Sequence, residues 1–259
     1  MMKKKKCGLR MVAYEWRNLN GNFMSHFFGI VFPNLMCLLL SKTIGGQMAE
    51  DMRIQINTSI MLSMAMVMPM AIMLLGYGAI YSLEVENGVP LRMRLFGLAE
   101  SSLMTAKIAA HLLLLTISFV IFGAFQILVT GIRLPAVSSL LCLLACLYLV
   151  GIILLVISHS IANICRRFSV TFGIEMSLYF VMMVLTGMMG IKTEQLPKIL
   201  QAVAATLPMT YIGRDFADFW QGGSYNFMPL IQSFLFFGAL AGILLLVSQH
   251  MVGREKNDN

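Results

Sequence analysis

A chain of 259 residues that is 58% hydrophobic and 12% charged, with a mean hydropathy of +0.80, has about half the charge usual in soluble domains and too much apolar surface for one water-soluble core. Its net charge of +7 does not point to nucleic acid, because the basic residues are spread over the ends of apolar segments, and membrane lipids are the expected partner. Five cysteines (Cys7, Cys37, Cys142, Cys146, Cys165) are an odd number mostly inside apolar runs, which fits reduced, small hydrophobes rather than a disulfide framework.

The chain opens on Lys3, Lys4, Lys5 and Lys6, like a signal-peptide n-region, yet the next apolar run starts some sixteen residues later and no small-residue cleavage site follows. The N-terminus is therefore expected to be retained. Next, Leu9, Val12, Trp16 and Leu19 recur at helical spacing with Arg10, Arg17 and Asn18 on the opposite arc. Trp16 and Arg17 are side chains that settle at a membrane surface, so residues 1–22 read as a tail and an N-terminal interfacial helix.

Crossing a hydrocarbon core of ~30 Å takes ~20 mostly apolar helical residues. Six stretches qualify: 23–43, 59–81, 108–132, 136–161, 170–190 and 228–252. Lipid offers no partner to backbone N–H and C=O groups, and nothing alternates as a barrel strand does. The expected fold is thus an all-α integral membrane bundle of six transmembrane helices forming a single domain over 1–259. Pro33 and Pro69 predict kinks in the first two spans, and Gly238 and Gly242 allow close approach in the sixth. With an even number of spans both termini share a side; 13 of the 19 lysines and arginines fall there and 6 on the other, which predicts cytoplasmic termini.

Two connections are long. Residues 82–107, on the cytoplasmic side, carry Glu84, Glu86, Gly88, Pro90, Arg92, Arg94 and Glu100. Residues 191–227, on the outer side, are only partly polar: Leu196, Ile199, Leu200, Val203 and Leu207 recur between Pro197 and Pro208, which predicts a short membrane-dipping helix. A second short helix after Pro208 would carry Arg214 and Asp218 as an i,i+4 pair, with Phe219 and Trp220 as interface anchors.

No catalytic constellation is present. His26, His111, His159 and His250 are scattered, and no zinc-protease, hydrolase-elbow or phosphate-loop motif occurs, so the chain is not expected to bind ATP, a metal or another cofactor. Cys142 and Cys146 share a helix face, for which packing is the plainer reading. Glu175 is the one acid well inside a span, which marks it for function, while a carboxylate snorkelling toward Arg166 and Arg167 is the plainer reading. The 23 methionines, dense at 61–73 and 182–189, could offer an adaptable surface or simply fill a core.

The stretch Glu84-Val85-Glu86-Asn87-Gly88-Val89-Pro90-Leu91-Arg92-Met93-Arg94-Leu95-Phe96-Gly97, continuing through Ser102 to Lys107, resembles the E-x-E-x-G…R-L…G…S…K segment of type-2 ATP-binding-cassette permeases. Residues 196–223, with Leu196-Pro197, Leu200-Gln201, Leu207-Pro208, Thr210-Tyr211 and Gly222-Gly223, look like the same family's segment before its last span. Val85 stands where the family often has arginine. The resemblance implies a coupling helix in 82–107, with Glu84, Glu86, Arg92, Arg94 and Phe96 facing cytoplasmic ATPase subunits, two per complex, that hold ATP and Mg. It further implies a second permease copy or related permease, and export of drugs, antibiotics, peptides, lipids or glycans across a bacterial plasma membrane. Rival readings are a sensor or immunity protein that only sequesters a toxic peptide, and a membrane-embedded hydrolase or transferase.

Overall fold

The computed structural model describes residues 8–45, 50–130, 132, 134–189 and 193–258; within these, the side chains of Asp51, Glu100, Arg214, Asp215 and 252–258 are outside the description. Lys3 to Lys6 and Cys7 fall outside the described residues. Every described element is helical, and six helices are long and apolar enough to cross a bilayer. In chain order the helices are α1 (Leu9–Asn20), α2 (Phe23–Ile44), α3 (Met52–Glu86), α4 (Val89–Leu95), α5 (Glu100–Thr130), α6 (Val137–Cys165), α7 (Phe168–Leu185), α8 (Lys198–Ala204), α9 (Pro208–Trp220) and α10 (Phe227–Asp258), of which α2, α3, α5, α6, α7 and α10 are the six spans.

The helices run past the limits that composition set. α3 continues through the polar residues up to Glu86 and α5 begins at Glu100, so the connection expected at 82–107 is helical except at 87–88 and 96–99. The apolar stretch marks only the part of a helix that needs lipid; the ends stay helical because their backbone groups keep their i−4 partners. At 1.5 Å per residue α3 measures about 52 Å, well beyond a hydrocarbon core of ~30 Å.

α3 is the axis of the bundle. Of its apolar stretch 83% is buried, against 22–50% for the other five spans. Met61, Met64, Met66, Met68, Met70 and Met73 are all buried, so these six methionines are core filling. Lipid-facing residues distinguish the outer helices: α10 turns Leu230, Ser233, Phe237, Ala241 and Ser248 inward onto α6 and leaves Leu235, Phe236, Ile243 and Leu246 outside. Association here rests on close packing and polar contacts, because lipid tails are as apolar as the side chains. The close approach expected at Gly238 and Gly242 is not seen within the chain: a methyl group at Gly238 would make ordinary contact with Ile153 at 3.9 Å, and one at Gly242 would meet nothing within 4 Å.

Both prolines lie beside π-helical turns rather than simple kinks. Phe27–Val31 precedes Pro33, and Met70–Gly76 follows Pro69. Proline lacks an N–H and its ring displaces the carbonyl four residues back, which for Pro33 is that of Gly29 inside the first turn, so the chain re-pairs there over a wider turn; the second turn begins at the residue after Pro69. The two turns touch: a methyl group at Gly29 would collide with Ile72, and one at Gly76 with Ser25.

Candidate functional site

The elbow between α3 and α5 assembles from the E-x-E-x-G…K residues. The N–H groups of Asn87 and Gly88 bond to the carbonyls of Leu83 and Val85, closing α3. Gly88 then takes φ +67, a left-handed conformation that glycine adopts without cost, and Pro90 opens α4 in the first turn, where its missing N–H is not needed. Arg92 donates from its guanidinium to the Asn87 carbonyl at 2.7 Å. Gly97, at φ +80, turns the chain toward α5. At the tip of α4, Leu91, Leu95 and Phe96 are 53%, 75% and 76% exposed, with Arg92 and Arg94 also at the surface.

On the bundle side of this elbow, one ammonium joins three helices. Lys107 Nζ of α5 lies 2.7 Å from Glu15 Oε2 of α1 and 2.6 Å from Glu84 Oε1 of α3. The three side chains are only 5%, 4% and 13% exposed. Asn18 donates to the same Glu84 oxygen at 3.1 Å. The triad holds two carboxylates and one ammonium, leaving it one negative charge in excess. Charges so far from water persist only when paired, and removing one partner typically costs about 3–5 kcal/mol.

Glu84 and Glu86 are therefore engaged within the chain. Glu86, exposed at the end of α3, accepts the Phe168 N–H at 2.7 Å. That is the first N–H of α7, whose N-cap residue Arg167 supplies no side-chain acceptor, so the carboxylate occupies the positive end of the helix.

From Lys107 a polar chain continues inward. His111 Nδ1 lies 2.8 Å from the Lys107 carbonyl, which can only accept, so that nitrogen carries the proton and the buried Nε2 has no hydrogen-bond partner. The His111 ring meets Tyr77 edge-on at 5.3 Å. Asn163 Nδ2 donates to His159 Nε2 at 2.9 Å, which puts the imidazole proton on Nδ1, 2.9 Å from the Tyr77 hydroxyl. Tyr77 passes its own proton to Met104 Sδ at 3.5 Å, and Tyr81 donates to Asn163 Oδ1 at 3.1 Å. Each such interhelical bond contributes about 0.6 kcal/mol on average in a bilayer, so the chain fixes register more than it adds stability.

Glu175 does not snorkel. It is 0% exposed on the inner face of α7, where Ser158 Oγ lies 2.6 Å from Oε1 and 3.1 Å from the Leu74 carbonyl. Its Oε2 has no hydrogen-bond partner, and a methyl group at Gly78 of α3 would strike the carboxylate. The helix phase decides this: Thr171, Glu175 and Tyr179 repeat every four residues on the buried side, so the arc leads into the bundle and not back to Arg166.

At the opposite end, Pro197 caps α8 and Pro208 starts α9, as their positions predict. Thr210 Oγ1 bonds to the Ala204 carbonyl at 2.6 Å and Tyr211 Oη to the Ala205 carbonyl at 3.0 Å, folding α9 back on α8. The Arg214 side chain lies outside the described residues. Trp220 is buried at 4% exposure, not an interface anchor, because α9 packs its Ile212, Phe216 and Trp220 edge against α3 and α6. In α1, Arg17 is exposed and Trp16 half-buried; the inward arc holds Glu15 and Leu19. Glu15, Tyr77, His111, His159 and Asn163 were not singled out from sequence as site residues. Two i,i+4 polar pairs in apolar spans, Lys107 with His111 and His159 with Asn163, were the available signal.

The sequence pattern of the family described as ABC-2 type transporter matches residues 9–214, from the first residue of α1 into α9, and takes in the elbow and the triad. Searches among curated proteins and among solved structures gave no match. Members of this family are membrane subunits of ABC transporters, normally paired with ABC ATPase subunits and not themselves catalytic. With well over half of its length matched and six helices of membrane-crossing length, this chain belongs to the ABC-2 type transporter family, as a multi-pass permease subunit.

Proposed function

We propose that the chain is the permease of an ATP-driven exporter in a bacterial plasma membrane, with both termini and the elbow in the cytoplasm. It pairs with a second permease and docks two ATPase subunits, which bind ATP and Mg, and its cargo is an apolar or amphipathic small molecule or peptide. The observation that carries the reading is the elbow: α4 holds Leu91, Leu95 and Phe96 outward, while the flanking helix ends are tied to α1 and α7 through Lys107 and Glu86. Three large apolar side chains beside Arg92 and Arg94 suit a cleft on a soluble partner, with an anchor at the centre and charges at the rim. The excess of basic residues on this side supports its cytoplasmic orientation. A displacement of α4 is passed to α3 and α5 together, since their ends share one ammonium.

The test is co-expression with the cognate ATPase. The complex should hydrolyse ATP and move cargo in vesicles, and a folded L95D/F96D double variant should lose both association and transport. A folded double variant that still transports at the unmodified rate removes α4 from the docking role.

A further inference from the structure

An open groove of about 550 Å³ lies at the α1 end of the bundle, between the α1–α2 corner, the end of α3 and the start of α7. That volume suits a single drug-sized molecule. Asn18, Asn22, Glu84 and Asn87 contribute its polar lining, and Phe23, Phe168 and Phe172 its aromatic walls. The rings of Phe168 and Phe172 stack at 5.4 Å with an angle of 17° between planes.

The charge balance of this wall is what selects a ligand. Lys107 sits between Glu15 and Glu84, so the three side chains together carry one excess negative charge, and Glu84 is the member of the triad that lines the groove. Next to the lining, Glu86 is engaged by the Phe168 N–H and Arg92 by the Asn87 carbonyl, and Arg166 and Arg167 precede Phe168 in the chain. A carboxylate flanked by aromatic faces is the arrangement that holds an organic cation: the ring quadrupoles and the net charge both attract it, and the apolar walls take its hydrocarbon part.

We infer that this groove is a binding site for amphipathic organic cations, with Glu84 as the counter-charge and Phe168 and Phe172 as the aromatic wall. The inference rests on the permease reading for its role in transport, because it names the cargo class at the elbow end, but binding itself needs no ATPase.

The test uses the full chain in non-ionic maltoside micelles and two ions of one shape and opposite charge, tetraphenylphosphonium and tetraphenylborate, with protein-free micelles as background. Each ion is measured in a separate sample, and saturable binding of the phosphonium with no saturable binding of the borate is the expected result. E84Q keeps the Lys107–Glu15 pair and an oxygen for Asn18, so it should still fold, with one cooperative thermal transition, and bind the phosphonium about tenfold more weakly. F168A/F172A, which leaves the charges in place, should weaken binding about threefold to tenfold. Binding of the two ions alike, or phosphonium affinity unchanged in folded E84Q, overturns the site. Either failure leaves ATPase association untouched, so the permease reading is judged separately by the L95D/F96D measurement.

Discussion

Glu84 and Lys107 meet at 2.6 Å across the elbow they flank, one at the end of α3 and the other two turns into α5. Twenty-two residues separate them in sequence, including the whole of α4, and the contact closes the base of that excursion. α4 is therefore held as a rigid protrusion, since the same ammonium also takes Glu15 from α1.

Replacing the ammonium exposes the charge imbalance. Lys107→Met leaves Glu15 and Glu84 facing each other away from water, and the expected cost is about 3–5 kcal/mol. Thermal unfolding in micelles should fall sharply, and adding E15Q and E84Q to K107M should recover most of the loss. A K107M protein as stable as the parent would mean the triad is hydrated.

The contact of Gly78 with Glu175 gives a packing test. Gly78→Ala places a methyl group where the carboxylate sits and should cost about 1–3 kcal/mol through overpacking. In a double-mutant cycle, E175A should relieve at least half of that cost, whereas additive effects would show that the two helices are not in contact there.

Glu86 acts at a helix terminus. Glu86→Ala removes the acceptor of the Phe168 N–H and should destabilise the first turn of α7 by about 0.5–2 kcal/mol. Hydrogen exchange is the direct readout: amides 168–171 should exchange faster while those in the middle of α7 hold their protection.

The tip of α4 should behave oppositely. Leu95→Asp and Phe96→Asp change exposed side chains, so the melting transition of the isolated chain should move by no more than about 0.5 kcal/mol equivalent. Binding to the ATPase should be lost in the same proteins. A large drop in stability would show that these residues pack within the permease.

Much of this architecture was legible from apolar length alone, because a bilayer demands about twenty such residues per crossing and forbids unpaired backbone. The elbow was legible too, from Gly88, Pro90 and the charged residues around them, although the span composition hid how far α3 and α5 extend. What could not be read was the facing of polar residues. Glu15 was assigned to neither arc of α1, since the amphipathic pattern was read against a membrane surface and not against Lys107. Glu175 was two turns from two arginines in sequence, yet its helix phase carries it to Ser158. Trp220 belonged to a helix that folds back into the bundle, and no local pattern distinguishes that from a helix lying on lipid. In each case the deciding fact was which neighbour stands opposite, a property of packing across helices far apart in the chain.

The π turn at Met70–Gly76 has a consequence for how α3 divides. A π turn accommodates one residue more than the α-helix around it, and each residue rotates the helix by about 100°, so the faces on its two sides are out of phase. The half that ends in Glu84 is clamped by Lys107, while the other half is free of that clamp. Side chains before Pro69 and those after Gly76 therefore meet their neighbours about one residue's rotation away from where an unbroken α-helix would place them.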